Sequence, residues 1–167
     1  MKNLLFLLFL LPLLSNCQSE KTSVSKYPAN VGDLVFDEKL DGNFKRCSEY
    51  DSYQYYNDSK GFQIEGEKNK IIQEVQKLEF KENKNSNGYL TIRFVVNCKG
   101  ETGIFRMQQM DSDYKAYKFD EALSSQILNF TKNLTGWIPK EIDGIKRDYY
   151  QYLTYKIVHG QVSEILP

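Results

Sequence analysis

The sequence predicts an α+β fold: a two-layer domain in which an antiparallel sheet of three to four strands carries two helices on one face, preceded by an N-terminal extension. Three observations lead there. Apolar residues recur at helical spacing in two separate stretches, near residue 71 and near residue 127. Strict period-two alternation runs from Tyr89 to Cys98 and ends at Lys99-Gly100, a hairpin signal. A further alternating run, Tyr149 to Val158, follows the second helix. Helices and hairpin-linked strands in this order give helices stacked on one side of a sheet.

The elements follow in chain order. Residues 1–16 read as an export signal: Lys2 is a positive start, and Leu4 to Leu14 is apolar apart from Pro12. This run is shorter than the ~20 residues a permanent membrane helix needs. It ends in Leu14-Ser15-Asn16-Cys17. That tetrapeptide resembles a lipobox, the leucine, small, small, cysteine pattern of bacterial lipoprotein precursors. Asn16 stands where glycine or alanine is usual. The expected product begins at Cys17, carries lipid there, and is tethered to an envelope membrane. Gln18 is not the aspartate that marks inner-membrane retention, so the expected site is the outer membrane, facing the periplasm.

Removing residues 1–16 leaves 151 residues, enough for one domain with a real core. The signal holds one lysine and no acid, so the remaining balance is 21 basic against 22 acidic residues. Nucleic acid is not expected as a partner, since it calls for a basic face. Residues 17–30 are polar and read as a tether. Residues 31–64 read as an extension of short strands or loops. Val31 to Phe36 is a candidate strand, Asp41-Gly42-Asn43 a turn, and Tyr50, Tyr53, Tyr55 and Tyr56 a tyrosine cluster.

Residues 65–167 form the main domain. Ile71, Ile72, Val75 and Leu78 place a helix over 68–79. Residues 82–88 break it. Leu90, Ile92, Phe94, Val96 and Cys98 share the buried face of the first strand, and residues 102–110 return as its partner. Residues 118–134 carry Phe119, Ala122, Leu123, Ile127, Phe130 and Leu134, the stronger helical pattern. Gly136 ends it and Trp137-Ile138-Pro139 leads out extended. Residues 140–147 read as a loop. Strand 149–158 puts Leu153, Tyr155 and Ile157 on one face, and Val162 to Leu166 is a short fourth strand after the His159-Gly160 turn.

With Cys17 lipidated, Cys47 and Cys98 remain, and an oxidising compartment allows them to pair. Such a bond would add ~3–4 kcal/mol by restraining the unfolded chain. The alternative is two buried thiols. Two cysteines and one distant histidine lack the spacing of a metal site, and none is expected. No catalytic pattern stands out. His159 is the single histidine and sits at a turn. Ser124-Ser125 lies mid-helix, outside any nucleophile elbow. Asp111-Ser112-Asp113 lacks the glycine and closing glutamate of a calcium loop. The expectation is a non-enzyme without cofactor.

Three passages together resemble the C-terminal domain of TonB, the energy transducer of outer-membrane transport. They are Gly88 to Gly100, with glycine at both ends of an alternating strand; Phe119-Asp-Glu-Ala-Leu followed by Trp137-Ile-Pro139; and Tyr152 to Ile165. The likeness covers about 80 residues, or about 100 with the helix near Ile71. It marks Gly88, Gly100, Trp137 and Pro139 as structural, with Trp137 wedged between helix and sheet. It implies a partner peptide from an envelope protein, added as a strand to the sheet. The expected edge is strand 149–158, with Tyr150, Tyr152 and Thr154 outward. The motor-docking membrane helix and proline-rich spacer of TonB transducers have no counterpart here, so the resemblance implies fold and binding mode, not energy transduction. Two other functions remain open: a structural lipoprotein that self-associates, and a periplasmic enzyme or small-ligand carrier.

Overall fold

The computed structural model describes residues 34–48, 53–56, 63–81 and 83–166. Cys17, the signal, the tether, Tyr50 and residues 31–33 of the candidate first strand lie outside them. Residues 34–37 are not strand. The described residues form an α+β fold with one mixed five-stranded sheet, a separate two-stranded hairpin and three helices.

The helices are α1 (Glu38–Asp41), α2 (Glu67–Val75) and α3 (Glu121–Asn133). The sheet holds β1 (Tyr53–Gln54), β2 (Gly88–Val96), β3 (Thr102–Asp111), β6 (Tyr149–Val158) and β7 (Gln161–Leu166). The hairpin is β4 (Lys140–Ile142) with β5 (Ile145–Arg147).

Helix α3 forms where the periodicity is strongest. The Asp120 side chain caps its start by accepting from Ala122 N at 3.0 Å, and Lys132 lies in its last turn, where a cation suits the helix dipole. Its buried Leu123 and Ile127 join Ile71 and Val75 of α2 in one core with Leu90, Ile92, Phe94 and Val96 of β2 and Leu153, Tyr155 and Ile157 of β6. The two longer helices therefore pack on the same sheet face. Trp137 is buried in this core, edge-on to Phe94 with ring centroids 5.1 Å apart.

The β2–β3 hairpin turns on Asn97, whose side-chain oxygen accepts from Lys99 N at 2.9 Å and Glu101 N at 3.0 Å. Gly100 sits there at φ +82°, and a Cβ on it would stand 2.4 Å from Trp137 O and 3.7 Å from Pro139 Cδ. Three of the four residues marked as structural thus meet at this turn. The fourth, Gly88, opens β2 opposite Asp111.

Four further expectations need correction. The sheet is not wholly antiparallel, because Tyr53–Gln54 pairs in parallel with Tyr149–Tyr150. A third helix, α1, lies in the extension, capped at its start by Asp37, whose side chain accepts from Lys39 N and Leu40 N. Residues 140–147 are a hairpin around Asp143-Gly144, not a loop. The fourth correction concerns the expected free edge. Strand β6 pairs with β2 along 149–157 on one side, and on the other with β1 at 149–150 and β7 at 154–158. In the gap between β1 and β7, Tyr55 N donates to Tyr150 O at 3.0 Å and the Gln151 side chain donates to Tyr152 O at 2.9 Å. Strand 149–158 is interior, and its borders are filled by the chain itself.

Candidate functional site

The sheet has two faces, and the second is partly roofed. Leu34 and Phe44 from the extension pack over Val95, Ile104 and Tyr150. Gly103 makes this possible: a Cβ there would lie 2.1 Å from the Phe44 ring, so only hydrogen lets the ring rest on the strand. Beside it β3 bulges, its register shifting opposite Arg93 to Val95, and Ile104 takes φ +55°. A β-branched residue in that region is strained. It is held by burial between the two layers, where Ile104 is 1% exposed.

Two ionic clamps and one covalent bond fix this roof. Arg106 grips both oxygens of Asp41 at 2.8 Å and also donates to Val35 O at 2.6 Å. The Arg106 hydrogen bonds hold the Asp41 carboxyl below its ordinary pKa against the opposing effect of burial, and Asp41 in turn raises Arg106. Asp148 is fully buried and accepts three backbone N–H groups: Cys47 at 2.8 Å, Ser48 at 3.3 Å and Cys98 at 2.9 Å. Arg46 Nε stands 3.7 Å from the same carboxylate. Cys47 and Cys98 are joined as a disulfide, Cα atoms 5.9 Å apart, across 51 positions of sequence. Their sulfurs and an Asp148 oxygen lie within 4.8 Å of one another. The sulfurs are bonded to each other and the carboxylate is filled by N–H donors, so the cluster acts as a fastener for residues 45–48.

The three residues expected at an outward edge lie on the face opposite the helices. Tyr150 is buried beneath the extension, its ring 5.5 Å from the Arg46 guanidinium carbon. Tyr152 is half-buried against Tyr55, ring centroids 5.2 Å apart, edge to face. Burial, and then a hydrogen bond with Tyr152, raise the Tyr55 phenol above its usual pKa. Thr154 shares a 3.0 Å hydrogen bond with Thr91 on β2. All three serve packing within the domain.

Three sheet borders lack a strand partner among the described residues, and that of β1 is only two residues long. The outer side of β3 is partly closed: Asp111 N donates to Lys115 O, Tyr117 N to Gln109 O, and Arg106 to Phe105 O. The bulge at Ile104 further disrupts it, as bulges on edge strands do. The outer side of β7 is the third border. Beside it, between α2 and β7, runs a groove of about 170 Å³ lined by Lys68, Ile72, Val75, Gln76, Val162, Ser163, Glu164 and Ile165. Its floor is apolar, with Val75 and Ile165 buried. Sequence reasoning missed this border, although the turn at His159-Gly160 and the alternation after it were the signal.

A larger concavity of about 590 Å³ is bounded by Lys81, Lys84, Asp120, Gln126 and Gly160. Its lining is mostly polar, and Asp120 is already engaged as the cap of α3. The residues considered for chemistry have structural partners. His159 Nδ1 lies 3.1 Å from Lys84 O, Ser124 Oγ donates back to Asp120 O, and Asp111 accepts from Asp113 N and Lys115 N in a tight turn. Among the described residues no helix is long and apolar enough to cross a membrane.

These observations define the class as an α+β module whose second sheet face is fastened under an N-terminal segment. Compared with protein-family models, curated proteins and solved structures, the chain matches none.

Proposed function

We propose that the chain is a non-catalytic, protein-binding lipoprotein of the bacterial cell envelope, tethered by lipid at Cys17 and binding a partner's extended segment along the outer border of β7. The observation that carries this reading is the border itself, a strand without an outer partner among the described residues beside an apolar groove, the arrangement strand addition uses. Backbone hydrogen bonds would supply affinity, and one large apolar side chain of the partner would fill the groove. The signal pattern ending in Cys17 supports the tether, and Gln18 supports the outer membrane facing the periplasm. The resemblance to the TonB C-terminal domain supports a peptide partner, and the filled borders of β6 move the binding edge to β7.

Photocrosslinking in cells tests this. A photoreactive residue at Ser163 or Glu164, both exposed on β7, is expected to capture one envelope protein, while one at exposed Gln108 on β3 captures none. Val162→Pro, which removes a backbone donor from β7, should abolish the adduct. Adducts of equal yield from β3, or none from β7, would overturn the reading. Adducts consisting only of two copies of the chain would replace it with a self-associating structural lipoprotein.

A further inference from the structure

The segment that roofs the sheet also turns three large apolar side chains away from it. Val35 is 79% exposed, Phe36 46% and Leu40 69%. Single exposed apolar residues are ordinary on any protein surface, whereas three within six positions are a patch that a function explains better than chance.

This patch is held stiffly. Leu34, just before it, is buried in the cluster under the extension. Arg106 bonds Val35 O at 2.6 Å and both oxygens of Asp41 at 2.8 Å, so both ends of the stretch are fastened to β3. Within it, Asp37 N donates to Asp41 at 2.7 Å while the Asp37 carboxylate accepts from Lys39 N and Leu40 N at 2.8 and 3.2 Å. These bonds engage the backbone N–H groups of Asp37, Lys39 and Leu40 and the Val35 carbonyl, while much of the apolar side chains is left to solvent. Holding them there leaves most of Val35 and Leu40 and nearly half of Phe36 in solvent, apolar surface ready for a contact with something else.

The position of the patch in the chain says what that is. Sixteen residues separate Cys17 from Leu34, a stretch that spans at most about 60 Å even when fully extended. A lipid on Cys17 therefore keeps Val35, Phe36 and Leu40 close to the surface that holds the lipid. Contact with that surface becomes an intramolecular event, for which a weak apolar patch is sufficient. The charges within residues 35–41 are Asp37, Glu38 and Lys39, with Asp41 neutralised by Arg106. No basic cluster is present among them to seek anionic headgroups, so the contact is apolar and depends little on salt.

We propose that Val35, Phe36 and Leu40 form a rigid apolar foot by which the domain rests on the lipid surface that anchors it. The inference rests on the proposed lipid at Cys17. It adds an orientation: the extension faces the membrane rather than the domain swinging free on its tether.

The test uses the full lipidated chain in vesicles of zwitterionic phospholipid, with and without bromine on the acyl chains. Phe36→Trp introduces a reporter at the foot. The chain's own tryptophan, Trp137, is buried in the core and serves as background. The expected result is roughly twofold quenching of the added emission by bromolipid, little changed by salt. Adding Val35→Ser and Leu40→Ser should relieve it. Ile145→Trp, at another exposed apolar position, should not be quenched. Protein that floats with the vesicles but shows no quenching at position 36, or equal quenching at 145, overturns the foot while leaving the anchor intact. Protein that does not float overturns the anchor reading and the foot with it. Shielding of position 36 only on addition of envelope proteins, without bromine quenching, would assign the patch to a protein partner and overturn the lipid contact.

Discussion

Replacing Asp148 by alanine is the sharpest probe of how the extension is fastened. The carboxylate is fully buried and holds Cys47 N and Cys98 N at 2.8 and 2.9 Å, with Ser48 N longer at 3.3 Å. Each buried donor left without an acceptor costs about 1–3 kcal/mol. Cys47 is exposed and Cys98 half-buried, so water recovers part of that loss. Two good bonds at the middle of the range, one weak bond, and Arg46 losing its 3.7 Å partner bring the expected loss to about 3–4 kcal/mol. With a urea slope of roughly 2 kcal/mol per molar, the unfolding midpoint should fall by about 1.5–2 M at constant slope. Asp148→Asn, which keeps one acceptor oxygen, should lose about half as much. In a Cys47→Ser, Cys98→Ser background the Asp148→Ala effect should shrink, because both fasteners hold the same segment and neighbours sharing a task are not additive. Equilibrium urea denaturation followed by tryptophan fluorescence gives all four values. A midpoint shift below about 0.5 M for Asp148→Ala in the oxidised protein would refute the reasoning.

Other outcomes follow from the same structure. Gly103→Ala should destabilise by about 1–3 kcal/mol through collision with the Phe44 ring, and Phe44→Ala should recover part of that loss in thermal melts of the double variant. The depressed Asp41 carboxyl makes its clamp fully effective above the unfolded value near 3.8, and its contribution is lost as pH falls through the lower folded value. Arg106→Leu should therefore lower stability at pH 6 and flatten its fall between pH 4 and the acid limit, as read from denaturation midpoints across pH. Ile127→Ala, at a fully buried position on α3, should cost about 2–5 kcal/mol by the same assay.

The sequence carried the two longer helices and four strands, expected at 89–98, 102–110, 149–158 and 162–166 and found at 88–96, 102–111, 149–158 and 161–166, because each buries one side at a regular interval. Ile71 with Val75, Leu123 with Ile127, and the alternating Leu90, Ile92 and Phe94 are such intervals. It did not carry the double burial at the end of β2, where Val95 joins Val96 inside. That burial comes from Leu34 and Phe44, more than 50 positions away, in a stretch with no period. The β4–β5 hairpin was missed because three-residue strands are too short to show alternation, although Asp143-Gly144 marked the turn. Alternation assigns faces, not borders: it put Leu153, Tyr155 and Ile157 on one face, yet said nothing of what lay beside strand 149–158, where an outward edge for Tyr150, Tyr152 and Thr154 was expected. A two-residue strand, Tyr53–Gln54, fills part of that border and leaves almost no trace in sequence. The bond between Cys47 and Cys98 was one of two readings the cysteine count left open, beside two buried thiols, and the structure shows the bond; Asp148 beneath it was not readable, since one aspartate among the chain's 22 acidic residues shows no sign of burial.

The binding edge and the apolar foot both presuppose that the chain is attached to a membrane by its first cysteine. Intact-mass measurement of the protein extracted from cell envelopes tests this directly. The account predicts a mature species starting at Cys17 with a mass excess of acyl and glyceryl groups, removed by Cys17→Ser. A soluble mature form without added lipid, or one beginning at any other residue, would contradict it.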